Sequence, residues 1–285
     1  MAEVVTVDFH VTSECNQECP YCWGPQNFEH PVDTETALAI VRKIAAIGAK
    51  RVVFTGGDPL LRPDIGSLIE CASSEGLEVA LSTTGDELTR DFLVEFGPSI
   101  DLISLPLDGA SEEVSSRTKK EGHFDAIIRA LGLLAEFPEI DVKIATPVTQ
   151  KNVDDIPAIV SLLERKQSEL PNRLFYNVFQ AFPRAMAEVD WSELVVSDGD
   201  FEELRIRVED SGHPFRINWL SHETLDRLYL MVFPDGTLTV PSGPDFLNYG
   251  PFLEIEDLRA ALERTDFDAP KHERHSKGWG KGGSK

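Results

Sequence analysis

The chain has 285 residues, 41% of them hydrophobic, enough for one large domain or a domain with a small appendage, with an ample core that needs no staples. Its formal net charge of −22 excludes nucleic-acid binding over any broad face, because phosphate contacts need Lys and Arg. No apolar run reaches the length of a bilayer crossing, and the start, MAEVVTVDFH, lacks the basic region and apolar block of a secretory signal, so the expected compartment is the cytoplasm and no membrane partner is expected.

Short runs rich in β-branched residues alternate with helical patterns, the signature of βα units feeding a parallel sheet. The first strand reads from Val4 to Val11. After a polar loop with three cysteines, Asp33-Thr34-Glu35-Thr36 opens a helix whose apolar positions Ala37, Ile40, Val41, Ile44 and Ile47 recur at three and four. Gly48 ends it. Arg51 to Thr55 is the second strand, followed at once by Gly56-Gly57-Asp58-Pro59 and a helix from Asp64 to Ser74. Further strands read at Val79 to Thr83, Leu102 to Leu107, Val142 to Val148 and Leu174 to Phe179, with helices near His123 to Phe137 and Asn152 to Gln167. Right-handed crossovers curl six such units into a partial or full βα barrel, whose chemistry sits at the strand C-termini. The cysteine loop, the Gly-Gly-Asp turn, Ser82-Thr83-Thr84 and Pro106-Leu107-Asp108-Gly109 all fall on that rim.

After the sixth strand the pattern changes. Phe215 to Leu220 reads as a seventh strand, Leu228 to Phe233 and Thr237 to Val240 flank Pro234-Asp235-Gly236 as a hairpin, and Phe252 to Arg264 reads as a helix. The expected division is a core barrel over 1–220, a small α+β appendage over 221–270 and a basic tail over 271–285. That tail holds five Lys and Arg against one Glu, so it carries +4 and leaves −26 on the other 270 residues. It reads as a solvated, disordered end.

Three of the four cysteines, Cys15, Cys19 and Cys22, stand in a Cys-x3-Cys-x2-Cys loop just past the first strand. Clustered thiols on a chain without a secretory signal read as metal ligands rather than disulfides. Three thiolates on a short loop reach three corners of an iron–sulfur cubane, and no residue nearby claims the fourth corner. A closed zinc site would have to recruit His10, His30 or Cys71. Cys71, in its helix among Leu68, Ile69 and Ala72, reads instead as a small buried hydrophobe.

The three-plus-two spacing, with Tyr21 directly before the last cysteine, resembles the defining loop of the radical S-adenosylmethionine (SAM) superfamily. Thr55-Gly56-Gly57-Asp58-Pro59 resembles its Gly-Gly-Glu motif with Asp in place of Glu, and Ile103 to Gly109 resembles a fourth-strand segment of its peptide- and sugar-modifying branches. The resemblance covers residues 5 to about 181 and implies a partial (β/α)6 radical SAM barrel with a small C-terminal α+β appendage. It implies one [4Fe-4S] cluster on Cys15, Cys19 and Cys22 with an open iron for SAM, reductive cleavage to a 5′-deoxyadenosyl radical, and abstraction of a substrate hydrogen. A flavodoxin- or ferredoxin-type electron donor follows from the same resemblance.

Residue roles follow from position. Thr55, Gly56, Gly57 and Asp58 are expected at the amino-acid end of SAM, where glycines let the backbone come close. Tyr21 is expected near the adenine. Ser82, Thr83 and Ser104 are unranked candidates for the ribose or carboxylate, and Asp108 either joins them or caps a turn with Gly109. His10 and Gln180 are inward-facing polar residues that meet substrate or are satisfied within the protein.

Ser242 stands where relatives with a SPASM- or twitch-type extension carry a cysteine, so an auxiliary cluster is not expected. The cysteine loop begins at Cys15, which leaves no winged-helix-sized region for capturing a leader peptide. The expected substrate is a small metabolite, sugar, nucleoside or peptide, and the chemistry-bearing residue that acts on it is not identified. Two alternatives are a glycyl-radical-type activase and a non-catalytic iron–sulfur or zinc-binding module, the latter leaving the convergent Gly-Gly-Asp and Ser-Thr-Thr loops without a purpose.

Overall fold

The computed structural model describes residues 4–24, 30–183, 189–209, 212–265 and 267–276. Its framework is a run of βα units: β1 (Thr6–Thr12), α1 (Thr34–Ala46), β2 (Arg51–Gly56), α2 (Ile65–Ser74), β3 (Glu78–Ser82), α3 (Arg90–Phe96) and β4 (Leu102–Pro106). There follow α4 (Glu112–Ser115), α5 (His123–Leu134), β5 (Asp141–Val148), α6 (Ile156–Glu169), β6 (Leu174–Gln180), α7 (Asp198–Glu209) and β7 (Arg216–Leu220). All seven strands pair in parallel, in chain order. This is the expected partial barrel.

Alternation along each strand sorts the side chains. On β1, Val7, Phe9 and Val11 pack outward into the core shared with α1 and α2, while Asp8 and His10 line the inside of the barrel. A second apolar cluster, Val53, Ala80, Leu102 and Phe175, fills the interior from β2, β3, β4 and β6. Asp33 caps α1 by accepting from Thr36 N at 2.8 Å, as the sequence suggests. Arg62 donates to the carbonyl of Val11 at 2.8 Å and fixes the end of β1 just ahead of the cysteine loop.

The C-terminal part joins this same sheet. After α8 (His222–Leu225), β8 (Met231–Val232) runs parallel to β1 and makes the expected hairpin with β9 (Thr237–Ser242), to which β10 (Asp245–Pro251) adds an antiparallel edge. The helix expected over Phe252 to Arg264 is instead a short 3-10 turn at Phe252–Glu254 and α9 (Leu258–Leu262). Lys43 of α1 is the reason. Its ammonium donates to the carbonyls of Phe252 (2.7 Å), Leu253 (3.0 Å) and Ile255 (2.6 Å), which hold the chain out of a continuous helix.

The expected disordered tail also needs correction at its start. Residues 269–276 form α10 (Ala269–Ser276), in which His272 Nε2 accepts from the backbone N–H groups of Val5 and Thr6 at 3.1 Å each. Its Nδ1 donates to Leu228 O at 2.9 Å. Satisfying buried backbone groups beside β1 orders this segment despite its charge. The rest of the tail, 277–285, lies outside the described residues. Among those described, no helix is long and apolar enough to cross a membrane.

Candidate active site

β2 meets the cysteine loop at close range. Gly57 N donates to Thr12 O at 2.8 Å and Asp58 N to Glu14 O at 2.6 Å. Gly56 has φ 141°, and a Cβ there would lie 2.2 Å from Thr12 O; one on Gly57 would lie 2.0 Å from Glu14 O. Only glycine lets these two backbones touch. The pair therefore seats the cysteine loop, a task that its expected approach to SAM did not include.

A cavity of about 330 Å³ opens at this rim. Cys15, Cys19 and Cys22 line it together with Tyr21 from their own loop. Thr55, Gly56 and Gly57 line it from β2 and its turn, and Ser82, Thr83 and Ser104 from β3 and β4. The structure thus brings together every expected site residue but one.

The exception is Asp58. It is fully buried and does not line the cavity. Its carboxylate accepts from Thr83 Oγ1 at 2.8 Å, Thr84 Oγ1 at 2.5 Å and Leu60 N at 3.1 Å. With Thr84 N at 3.3 Å, each oxygen accepts two donors, so Asp58 holds Thr83 and Thr84 from behind instead of facing the cavity as expected.

Asp108 is likewise neither a cavity residue nor a local cap. Its Oδ2 accepts from the hydroxyl of Tyr21 and from Thr118 Oγ1 at 2.6 Å, tying the cysteine loop to the chain that follows β4. Gln17 provides a second tie, donating to Asp86 Oδ2 at 2.6 Å and accepting from Lys120 N at 2.9 Å. His123 stands against Asp86 at 3.1 Å and braces the same corner.

Between these ties lies Lys119, which the sequence reading missed. Its ammonium is 3.0 Å from Cys19 Sγ and 5.6 Å from the centroid of the Tyr21 ring. Burial alone would lower its pKa, but Asp108 and Cys19 outweigh burial and raise it, so the group stays charged. Two adjacent lysines after Asp108 in a strongly acidic chain were the available signal.

Burial pushes the Cys15 thiol up to about 11, and it pushes Cys19 up as well while Lys119 pulls the other way. Such thiols keep their protons until a metal displaces them. Among the described residues, no three His, Cys, Asp or Glu side chains converge as a single-ion centre requires. Three soft thiols of one short loop that share a cavity fit a cluster, each corner of which takes its own ligand. His30 is exposed and outside the cavity, and Cys71 is half-buried on α2, packed against the outer core.

Deeper in the barrel the lining is polar. Asp8 and His10 of β1, Lys143 of β5 and Asn177 of β6 face the same space. Gln180 is satisfied by Val196 O at 3.2 Å and Asp198 Oδ1 at 2.8 Å. His10 has no partner for either ring nitrogen.

A parallel barrel with three cysteines of one loop facing its rim cavity defines an enzyme fold built around an iron–sulfur cluster and SAM. The chain belongs to the radical SAM superfamily, whose family model matches residues 9–163. Members of this superfamily use a [4Fe-4S] cluster and SAM. The Fe-coproporphyrin III synthase of Methanosarcina barkeri is 30% identical over 265 residues, 91% of this chain, and the chain spans 60% of that protein's length. The S-adenosylmethionine-dependent nucleotide dehydratase of Flammeovirga pacifica is 27% identical over 283 residues, 94% of this chain and 93% of its own. The solved structure of anSMEcpe with bound AdoMet has the same fold, with a TM-score of 0.70 at 16% identity over 95% of this chain and 82% of that one.

Proposed function

We propose that this chain cleaves SAM reductively and directs the resulting radical at a C–H bond of a nucleotide held in the barrel cavity. One observation carries the reading: the three thiols, the Gly56-Gly57 edge and the polar barrel interior line one continuous space. When bound on Cys15, Cys19 and Cys22, the cluster supplies the electron that splits the sulfonium of SAM and yields the 5′-deoxyadenosyl radical.

The chain's own residues do the rest. Gly56 and Gly57 leave the rim open for the amino-acid end of SAM, and the Lys119 ammonium beside Cys19 offers its carboxylate a permanent charge. Asp58 holds Thr83 at the cavity wall, and Ser82 and Ser104 present hydroxyls beside it. The inner polar wall takes the substrate, and the surrounding sheet excludes water from the radical.

The nucleotide assignment draws on the nearly end-to-end match to the nucleotide dehydratase, whereas the iron-porphyrin relative is a longer protein matched in part. A flavodoxin- or ferredoxin-type protein is the electron donor we propose. Anaerobic reconstitution with iron and sulfide, then dithionite and SAM, tests the reading. We expect 5′-deoxyadenosine, faster with CTP, UTP, GTP or ATP present and absent in Cys19→Ala; protein that binds four irons yet forms none would contradict it.

A further inference from the structure

The interior of the barrel holds groups that the fold itself does not explain. His10 is 4% exposed, lines the cavity, and lacks a hydrogen-bond partner on both Nδ1 and Nε2. Leaving such a group unpaired is unfavourable unless a ligand satisfies it. Its ring is held in place edge-on to Phe233 of the β8–β9 hairpin, with centroids 5.4 Å apart at 67°. One inward step deeper on the same strand is Asp8, and across the barrel on β5 is Lys143; both face the cavity, and the two attract each other. Asn177 of β6 completes the wall, its Oδ1 accepting from Asn218 Nδ2 at 2.8 Å.

The chemistry of this wall narrows what it receives. Burial holds His10 at a pKa of about 3, so it is a neutral imidazole with one donor and one acceptor. Asp8 and Lys143 attract each other while burial disfavours the charged form of both, so the wall favours a partner that brings no further charge. A phosphate placed here would add negative charge beside Asp8, while an apolar group would leave His10 unpaired. A hydroxyl both donates and accepts, so it satisfies a neutral imidazole, a carboxylate and an ammonium without burying a new charge.

We propose that His10, with Asp8 and Lys143 beneath it, is the substrate-contacting wall that recognises sugar hydroxyls of the substrate. The proposal rests on the nucleotide reading above and adds to it the residue that reads the ribose. His10 pairs in register with Thr55, just below the glycine edge, and belongs to neither the cysteine loop nor the Gly-Gly turn, so its assigned role is contact with substrate.

The test uses reconstituted holoenzyme and the KM of whichever of CTP, UTP, GTP and ATP stimulates the wild type, measured beside that nucleotide's 2′-deoxy and 3′-deoxy forms. In wild type, we expect one deoxy form to bind at least tenfold more weakly. In His10→Phe the ribonucleotide should lose at least tenfold and the deoxy form nothing further, with His10→Gln recovering part of the loss. Iron content and substrate-free SAM cleavage should stay within twofold in both variants. Unchanged ribonucleotide KM in His10→Phe, or full ribose discrimination retained there, overturns this inference alone. No stimulation of wild type by any of the four nucleotides overturns the nucleotide reading and this inference with it.

Discussion

The ammonium of Lys119 stands 3.0 Å from the sulfur of Cys19, the middle cysteine of the loop. In the proposed function this permanent positive charge partners the carboxylate of SAM. Lys119→Met should weaken SAM binding about tenfold or more, near 1.4 kcal/mol, while leaving iron content close to four per chain. Equilibrium dialysis with labelled SAM on the reconstituted protein checks this; unchanged affinity would remove Lys119 from the site.

Gly57 approaches Glu14 so closely that a methyl group has no room, since its Cβ would sit 2.0 Å from a backbone oxygen. Gly57→Ala should therefore displace the cysteine loop, destabilise the fold by about 2 kcal/mol or more and lower iron uptake. Gly132, inside α5 with nothing within 4 Å of an added Cβ, is the matched control. Gly132→Ala should stabilise by roughly 0.5–1 kcal/mol and leave iron uptake alone. Chemical denaturation and iron assay on both variants separate a local clash from a general intolerance of alanine.

The Asp58 carboxylate joins the Gly-Gly turn to Thr83 and Thr84 without reaching the cavity. Asp58→Ala removes the acceptor of Thr83 Oγ1, Leu60 N and Thr84 N, so about 1–3 kcal/mol of stability should go, together with several-fold in SAM affinity. Asp58→Asn, which keeps one acceptor oxygen, should recover part of both. Equal loss in the two variants would point to charge rather than hydrogen bonding as the requirement.

Much of this was legible in the sequence, for identifiable reasons. The apolar, largely buried runs that form β1, β2, β4 and β6 write burial into composition, and β5 shows it as alternation. The three cysteines are local, so their spacing reads directly as a set of three soft ligands, with zinc left open until the other rim loops are considered. Helix α7 left little trace because Asp198–Glu209 buries only Phe201, Leu204 and Val208 amid charged residues. β10 is a largely exposed edge without clean alternation. Asp108, Lys119 and His10 were invisible or undecided because their meaning depends on partners brought from elsewhere in the chain. Tyr21 and Asp108 are 87 positions apart. Local patterning carries no record of such a meeting.

Buried histidines set the pH response. Burial holds His10 and His275 at about 3 and lowers His272 as well. The unfolded chain takes up protons on these groups near pH 6.5 while the folded one leaves them neutral. Their stabilisation is therefore complete above pH 6.5 and lost as the pH falls toward 3, at up to about 1.4 kcal/mol per pH unit for each. Asp8 opposes them in part, since burial raises it to about 7 and favours the folded state as it protonates. Denaturation from pH 7 to 5 should show stability falling in the wild type and falling less steeply in His272→Gln. Parallel slopes would mean that His272 titrates normally in the folded protein.

In the proposed function, a radical made at the cysteine rim takes hydrogen from a nucleotide in the polar cavity below. The direct measurement is mass spectrometry of the 5′-deoxyadenosine formed when ribonucleotides carrying deuterium on the ribose carbons replace unlabelled ones. We expect deuterium in the 5′-deoxyadenosine with at least one of CTP, UTP, GTP or ATP, and loss of that transfer in His10→Phe at subsaturating nucleotide. 5′-Deoxyadenosine that stays unlabelled with all four, at an undiminished rate, would contradict it.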